Sequence, residues 1–269
     1  MRSQRPVAVG EPPSSAARYT LPVVLSMVAV LPQPPLLVPQ LATGADAETA
    51  PLRTACASAA ARLARAAGTW IAVGAAPGGR RTVEPSAGGS FVGFGVDLAV
   101  PLDTSCGARP PADPRLPLPL LVAGWVAAGT GAALRVRGEL VAPDEPPAAC
   151  AALGGELAGE LAATPDPVGL LVVGDGAATH GGEGPRYVDQ RAAPFDAAVA
   201  AALAAADAGA LAALDPALAA ELHAVGRAPW QVLAGAAAGR RWQGQLLHSD
   251  APFGVAYHVA VWTPRARPP

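Results

Sequence analysis

The stretch Pro167 to Gln190, PVGLLVVGDGAATHGGEGPRYVDQ, sets the terms for any fold this chain can adopt. Its apolar run, Val168 to Val173, is short and rich in β-branched residues, as a buried strand requires. Gly174-Asp175-Gly176 stops the strand, and a glycine-rich loop follows, carrying Thr179, His180, Glu183, Arg186, Tyr187 and Asp189. The next helix begins near Pro194. Open α/β sheets place ligands in polar, glycine-punctuated loops at the carboxyl ends of their strands. This loop is therefore the first candidate site. His180 reads there as a proton-handling or ligand-binding residue. The competing reading is a solvated histidine in a loop whose glycines serve turn geometry alone.

Further strands and helices alternate around this stretch. Val23 to Val30 reads as strand one, and the prolines of Leu31 to Leu41, LPQPPLLVPQL, block a helix and leave an extended loop. Thr49 and Pro51 suit a helix start, after which Leu52, Cys56, Ala59 and Leu63 share one helical face. Thr69 to Ala75 is a second strand, followed by a Gly/Pro/Arg loop to Ser90. Phe91 to Val100 reads as another strand or bent pair, and Asp103 to Arg115 as loop. Leu116 to Ala128 is a buried helix, and Ala133 to Val141 alternates like a half-exposed strand. Pro146 to Ala162 is a helix weakened by Gly154 and Gly155. Phe195, Val199, Ala202 and Leu203 mark a further amphipathic helix. Alanine-rich helical pieces, the segment Trp230 to Ala238, and strands at Trp242 to His248 and Val255 to Trp262 complete the chain.

This order predicts an α/β fold: a single layered α/β/α domain over residues 21–264, with a mostly parallel or mixed central sheet and an antiparallel edge from the last strands. Residues 1–20 have no hydrophobic period and read as a disordered leader, and residues 265–269 as a tail.

Composition narrows the function. Only 15% of residues are charged and the formal net charge is -2, so nothing favours nucleic acid. Every basic side chain is arginine, which removes lysine Schiff-base and P-loop chemistry. Cys56, Cys106 and Cys150 are widely spaced and odd in number, a pattern for ordinary thiols in a cytoplasmic protein. No apolar run reaches the roughly 18–20 residues a bilayer demands. Arg2 and Arg5 precede the apolar segment Leu21 to Leu31 as in a signal peptide, but the intervening polar stretch is long and no clean cleavage site follows. A buried first strand explains the same residues better.

Familiar catalytic motifs are missing. Gly174, Gly176 and Thr179 make only a broken dinucleotide fingerprint, with the helix too far downstream, and no G-x-S-x-G elbow exists. His223 lies near Glu221 at a spacing that forms no metal pair, and His248 precedes a Ser249-Asp250 turn. His258 alternates within a strand and reads as structural or surface. No two histidines stand at ligand spacing.

Five segments taken together resemble the class III extradiol ring-cleavage dioxygenase superfamily, the LigB-like fold that includes the MEMO proteins. They are VAVLPQPPLLVPQL, TWIAVGAAP, VVGDGAATHGG, and APWQVLAGA followed by APFGVAYHVAVW. Their order and spacing span residues 27–263 and look closest to an alanine-rich actinobacterial branch. The resemblance implies a pocket around Gln33, Ala76, Asp175, Thr179 and Glu183, with His180 in the place of the acid–base histidine. Active members hold Fe(II) with two histidines and a carboxylate. The corresponding positions here are Gln33, Ala76 and about Ala224, none of which is a strong ligand. The resemblance therefore implies a metal-free protein, without cofactor, that binds a small molecule such as an aromatic compound. The alternative it leaves is an active Fe(II) dioxygenase acting on a catechol, with Glu183, Asp189, His223 or Glu221 as substitute ligands. No membrane or nucleic-acid partner is implied, and self-association into a homo-oligomer stays open.

Overall fold

The computed structural model describes residues 25–42, 44, 46–106, 112–181 and 188–265. The expected leader, and the tail beyond Arg265, lie outside these described residues. In chain order the first elements are strand β1 (Met27–Leu31), helix α1 (Asp46–Ala66) and strand β2 (Thr69–Ala75). Four short strands follow: β3 (Arg81–Val83), β4 (Gly88–Ser90), β5 (Ala99–Pro101) and β6 (Ala112–Asp113). Then come α2 (Leu118–Gly129), β7 (Arg135–Val141), α3 (Pro147–Ala162) and β8 (Val168–Val173). The last third holds α4 (Ala192–Ala205), α5 (Ala208–Ala212), α6 (Pro216–Glu221), α7 (Arg227–Ala237), β9 (Trp242–Asp250) and β10 (Tyr257–Pro264).

β1 and β8 are buried at every residue, so both faces of each must be covered. They pair in parallel, and β8 also pairs in parallel with β2, which pairs in parallel with β7. Antiparallel strands close the edges, giving the order β3-β7-β2-β8-β1-β10-β9. The chain is thus a layered α/β domain with a mixed central sheet, as its pattern predicts, plus a small second sheet ordered β5-β4-β6.

Strand alternation divides the core. Val28, Val30, Leu170 and Val172 pack with Leu153 of α3, Phe195 and Val199 of α4, and Trp230 of α7. Ala29, Leu31, Leu171 and Val173 pack with Leu52, Cys56 and Leu63 of α1 and with Leu120 of α2. On the first face α3 and α7 approach backbone to backbone. A Cβ on Gly154 would stand 2.2 Å from the Val232 carbonyl oxygen, and one on Gly235 would stand 2.4 Å from that of Ala151.

Several local expectations are corrected. The proline-rich stretch after β1 is not extended: Pro35–Leu37 and Pro39–Leu41 are 3-10 turns, each opened by the proline whose fixed φ suits a first helical position. Helix α1 starts at Asp46, which leaves Pro51 inside it, in the second turn, where its missing N–H removes one helical hydrogen bond. Phe91 to Val100 is not one strand. The Ser90 side chain accepts from Val92 N–H to open a 3-10 turn at Phe91–Phe94, and Gly95 closes it at φ +94°. β7 alternates and is half-exposed only at its start, Arg135 to Arg137; its last four residues are buried, so both faces are covered there. β9 continues through Ser249 and Asp250, where a turn was expected, because both residues pair with β10. Among the described residues no helix is long and apolar enough to cross a membrane.

Candidate functional site

The carboxyl ends of β1 and β8 meet the start of β10 at one edge of the sheet. Gly174 N–H donates to the Leu31 carbonyl at 2.9 Å, so the chain leaves β8 still running beside β1. Asp175 comes next, and its carboxyl accepts the backbone N–H of Gln33 at 2.7 Å. Burial pushes the Asp175 pKa up to about 7, with the Gln33 hydrogen bond pulling the other way. The buried Cys56 thiol on α1 is also held up, by burial first and by the Asp175 charge second. Gln33 Oε1 and the buried Thr179 Oγ1 have no hydrogen-bond partner among the described residues. Ala76, just past β2, is buried and donates its N–H to the Val141 carbonyl at 2.9 Å. Gln33 and Asp175 are thus brought together, and Ala76 offers only a methyl group. Glu183 lies outside the described residues.

His180 lies in a separate cluster: the cleft it lines includes none of Gln33, Ala76, Asp175 and Thr179. His180 Nε2 is 2.6 Å from Oδ2 of Asp196 on α4, and His258 Nε2 on β10 is 3.0 Å from Asp196 Oδ1. Asp196 is 5% exposed and His258 1%. Ala177 N–H donates to both Asp196 oxygens at 3.2 Å. A carboxylate only accepts, so each imidazole donates through Nε2–H, and a neutral ring then keeps Nδ1 as an acceptor. For His258 that acceptor meets Ser249 Oγ at 3.0 Å, so the hydroxyl donates to it. Trp230 packs edge-on against the His258 ring, with centroids 6.0 Å apart. The result is a continuous row, Ser249–His258–Asp196–His180, along one wall of a cleft of about 190 Å³. Asp250 and four alanines, Ala193, Ala197, Ala251 and Ala256, complete the lining.

Glycine makes this row possible. A Cβ on Gly176 would stand 2.2 Å from Asp196 Oδ1, 2.8 Å from Ala256 Cβ and 3.0 Å from His258 Nε2. The loop backbone therefore lies directly on the carboxylate, which is how Ala177 N–H reaches it.

The residues present do not fit the iron of the alternative reading. Alanine at 76 and 224 has no donor atom, and the Gln33 amide is a poor one. Of the substitute ligands, Asp189 and Glu221 are both held by Arg191, at 2.7 Å and 2.6 Å. His223 lines a separate cleft with Ala224, Pro143 and Arg227. Among the described residues no group of three or more His, Cys, Asp or Glu has the geometry to hold a metal.

Asp196, His258 and Ser249 are the residues that sequence reasoning missed. Two signals for them exist. Asp196 stands three residues before Val199 and seven before Leu203, a carboxylate on the apolar face of α4. His258 shares its strand face with Ala260 and Trp262, so alternation buries it. Of the two readings of His258, the surface one is corrected: it is fully enclosed, as a structural histidine is, and holds a carboxylate on one nitrogen and a hydroxyl on the other.

No family model matches the chain, and no curated protein matches it. Among solved structures it is similar to the crystal structure of uncharacterized protein JW3007 from Escherichia coli K12. The identity is 13% and the TM-score 0.45, over 88% of this chain and 99% of that one.

Proposed function

We propose that this protein binds a small molecule at the carboxyl edge of its sheet, on a LigB-like scaffold that has lost the superfamily's metal chelate. The observation that carries this reading is Asp196, buried and shared between the Nε2 atoms of His180 and His258. A carboxylate placed this way orients two imidazoles along the cleft wall. The cleft, about 190 Å³ and lined by alanine between polar ends, suits a phenol or another small neutral aromatic held by one or two hydrogen bonds. His180 is 18% exposed at the side chain, open enough to meet such a ligand. Its role is to exchange a hydrogen bond or a proton with the ligand while Asp196 fixes the ring.

The test is ligand binding by calorimetry with a panel of phenols and other small neutral aromatics, on wild type and His180→Ala, after elemental analysis of protein grown with added iron and handled without oxygen. Metal-free protein that binds a member of the panel, with affinity lowered roughly tenfold or more in His180→Ala, supports the reading; that loss equals one net hydrogen bond of about 1.4 kcal/mol. Near one metal per chain together with catechol cleavage overturns it and restores the dioxygenase.

A further inference from the structure

We infer that Ser249 is an acyl-accepting nucleophile, activated by His258 and Asp196, and that the cleft carries metal-free acyl-transfer chemistry on short neutral or cationic esters. This rests on the binding cleft proposed above and adds a reaction to it.

The inference follows from a hydroxyl, an imidazole and a carboxylate in one line. Ser249 Oγ lies 3.0 Å from His258 Nδ1, and His258 Nε2 lies 3.0 Å from Asp196 Oδ1. A base within hydrogen-bond reach of a hydroxyl, oriented by a third group, is the arrangement that turns serine into a nucleophile. Here the two ring nitrogens exchange their usual partners, and the proton route is unchanged. The fold holds each member firmly. Ser249 and His258 are directly opposed on neighbouring antiparallel strands, so the ladder sets their separation. Asp196 is fixed by Ala177 N–H and by His180 on its second oxygen. Exposure divides as the chemistry needs: His258 is 1% exposed and Ser249 is exposed. The base is dry, and the nucleophile faces the cleft mouth.

The reaction balances with water as the only co-reactant. Ser249 Oγ bonds to the ester carbonyl carbon while its proton moves to His258 Nδ1, and Asp196 stabilises the imidazolium through Nε2–H. The carbon–oxygen bond to the leaving alcohol then breaks, and the alcohol leaves with that proton. Water adds to the acyl-serine, again giving a proton to His258, and the acid departs as Ser249 regains its hydrogen. The lining names the substrate class. Ala193, Ala197, Ala251 and Ala256 leave room for a short acyl chain, and the Asp250 carboxylate at the rim repels anionic esters. The same carboxylate disfavours charge building on the carbonyl oxygen, so activated esters are the substrates expected to turn over.

The experiment treats full-length protein with a fluorophosphonate probe and, separately, with p-nitrophenyl acetate, reading intact mass and nitrophenol release. The expected result is one phosphonyl group per chain on the peptide containing Ser249, with labelling abolished in Ser249→Ala and about 100-fold slower in His258→Gln. Exposed Ser249→Ala is expected to fold, which thermal melting checks; Ser105→Ala, on a distant exposed loop, is the labelling control. Unlabelled wild type that still binds a phenol or another small neutral aromatic overturns this inference and leaves the binding reading intact. Labelling that persists in Ser249→Ala overturns it as well.

Discussion

Gly176 is the residue at which one added atom does most damage. Its missing Cβ would occupy the space of Asp196 Oδ1, 2.2 Å away, with Ala256 and His258 close behind. None of these is the free end of a flexible side chain. Gly176→Ala is therefore expected to cost about 2–3 kcal/mol in urea unfolding and to abolish binding in the cleft. Gly93→Ala, where nothing stands within 4 Å, is the control and should leave both nearly unchanged. An equally stable Gly176→Ala protein would mean that the loop does not rest on the carboxylate. The same residue shows what a sequence can reveal of such a site. His180 and Asp175 were visible because they sit in a polar loop leaving an apolar strand. Their partners were not, because α4 supplies Asp196 and the β9–β10 pair supplies Ser249 and His258, far along the chain. Only folding brings those three elements to one edge. Periodicity marks Asp196 and His258 as buried polar residues, but it cannot say that they face each other.

At the scale of elements, the buried strands were the readable part. β8 and β2 fall where their apolar runs predict, because a strand covered on both faces needs an unbroken apolar segment. The stretch Phe91 to Val100 was not readable as built: its bend depends on a serine cap and a left-handed glycine, which interrupt an apolar pattern that otherwise suits a strand. Helix α3 gives a sharper case. Gly154 and Gly155 look alike in sequence, two residues that weaken a helix. The structure separates them. Gly154 is buried where α7 crosses, with the Val232 carbonyl oxygen 2.2 Å from any Cβ, whereas Gly155 is exposed with nothing within 4 Å. Gly155→Ala is expected to stabilise by about 0.5–1 kcal/mol through helix propensity alone. Gly154→Ala is expected to destabilise by about 1–3 kcal/mol, because two helix backbones must separate. Equal effects in chemical denaturation would refute the close crossing of α3 and α7.

For the whole molecule, the buried end of β8 ties stability to pH. The Asp175 carboxyl titrates near 7 in the folded protein and near its ordinary 3.8 when unfolded, since burial disfavours its charged form. Between those two values the native state holds a proton that the unfolded chain has released. Stability from this group is full below about pH 4, falls as pH rises towards 7 by at most about 1.4 kcal/mol per pH unit, and is flat above. Asp175→Asn keeps an oxygen to accept the Gln33 N–H and removes the titration. Other acids and histidines titrate alike in both proteins, so they cancel when the variant's unfolding free energy is subtracted from that of wild type. That difference should drop across the window from about pH 4 to 7 and level off beyond it, as read from urea unfolding at four or five pH values. Parallel curves for the two proteins would mean that Asp175 ionises freely in the native state. The carboxyl would then be solvated well enough to charge, although the Gln33 N–H still reaches it.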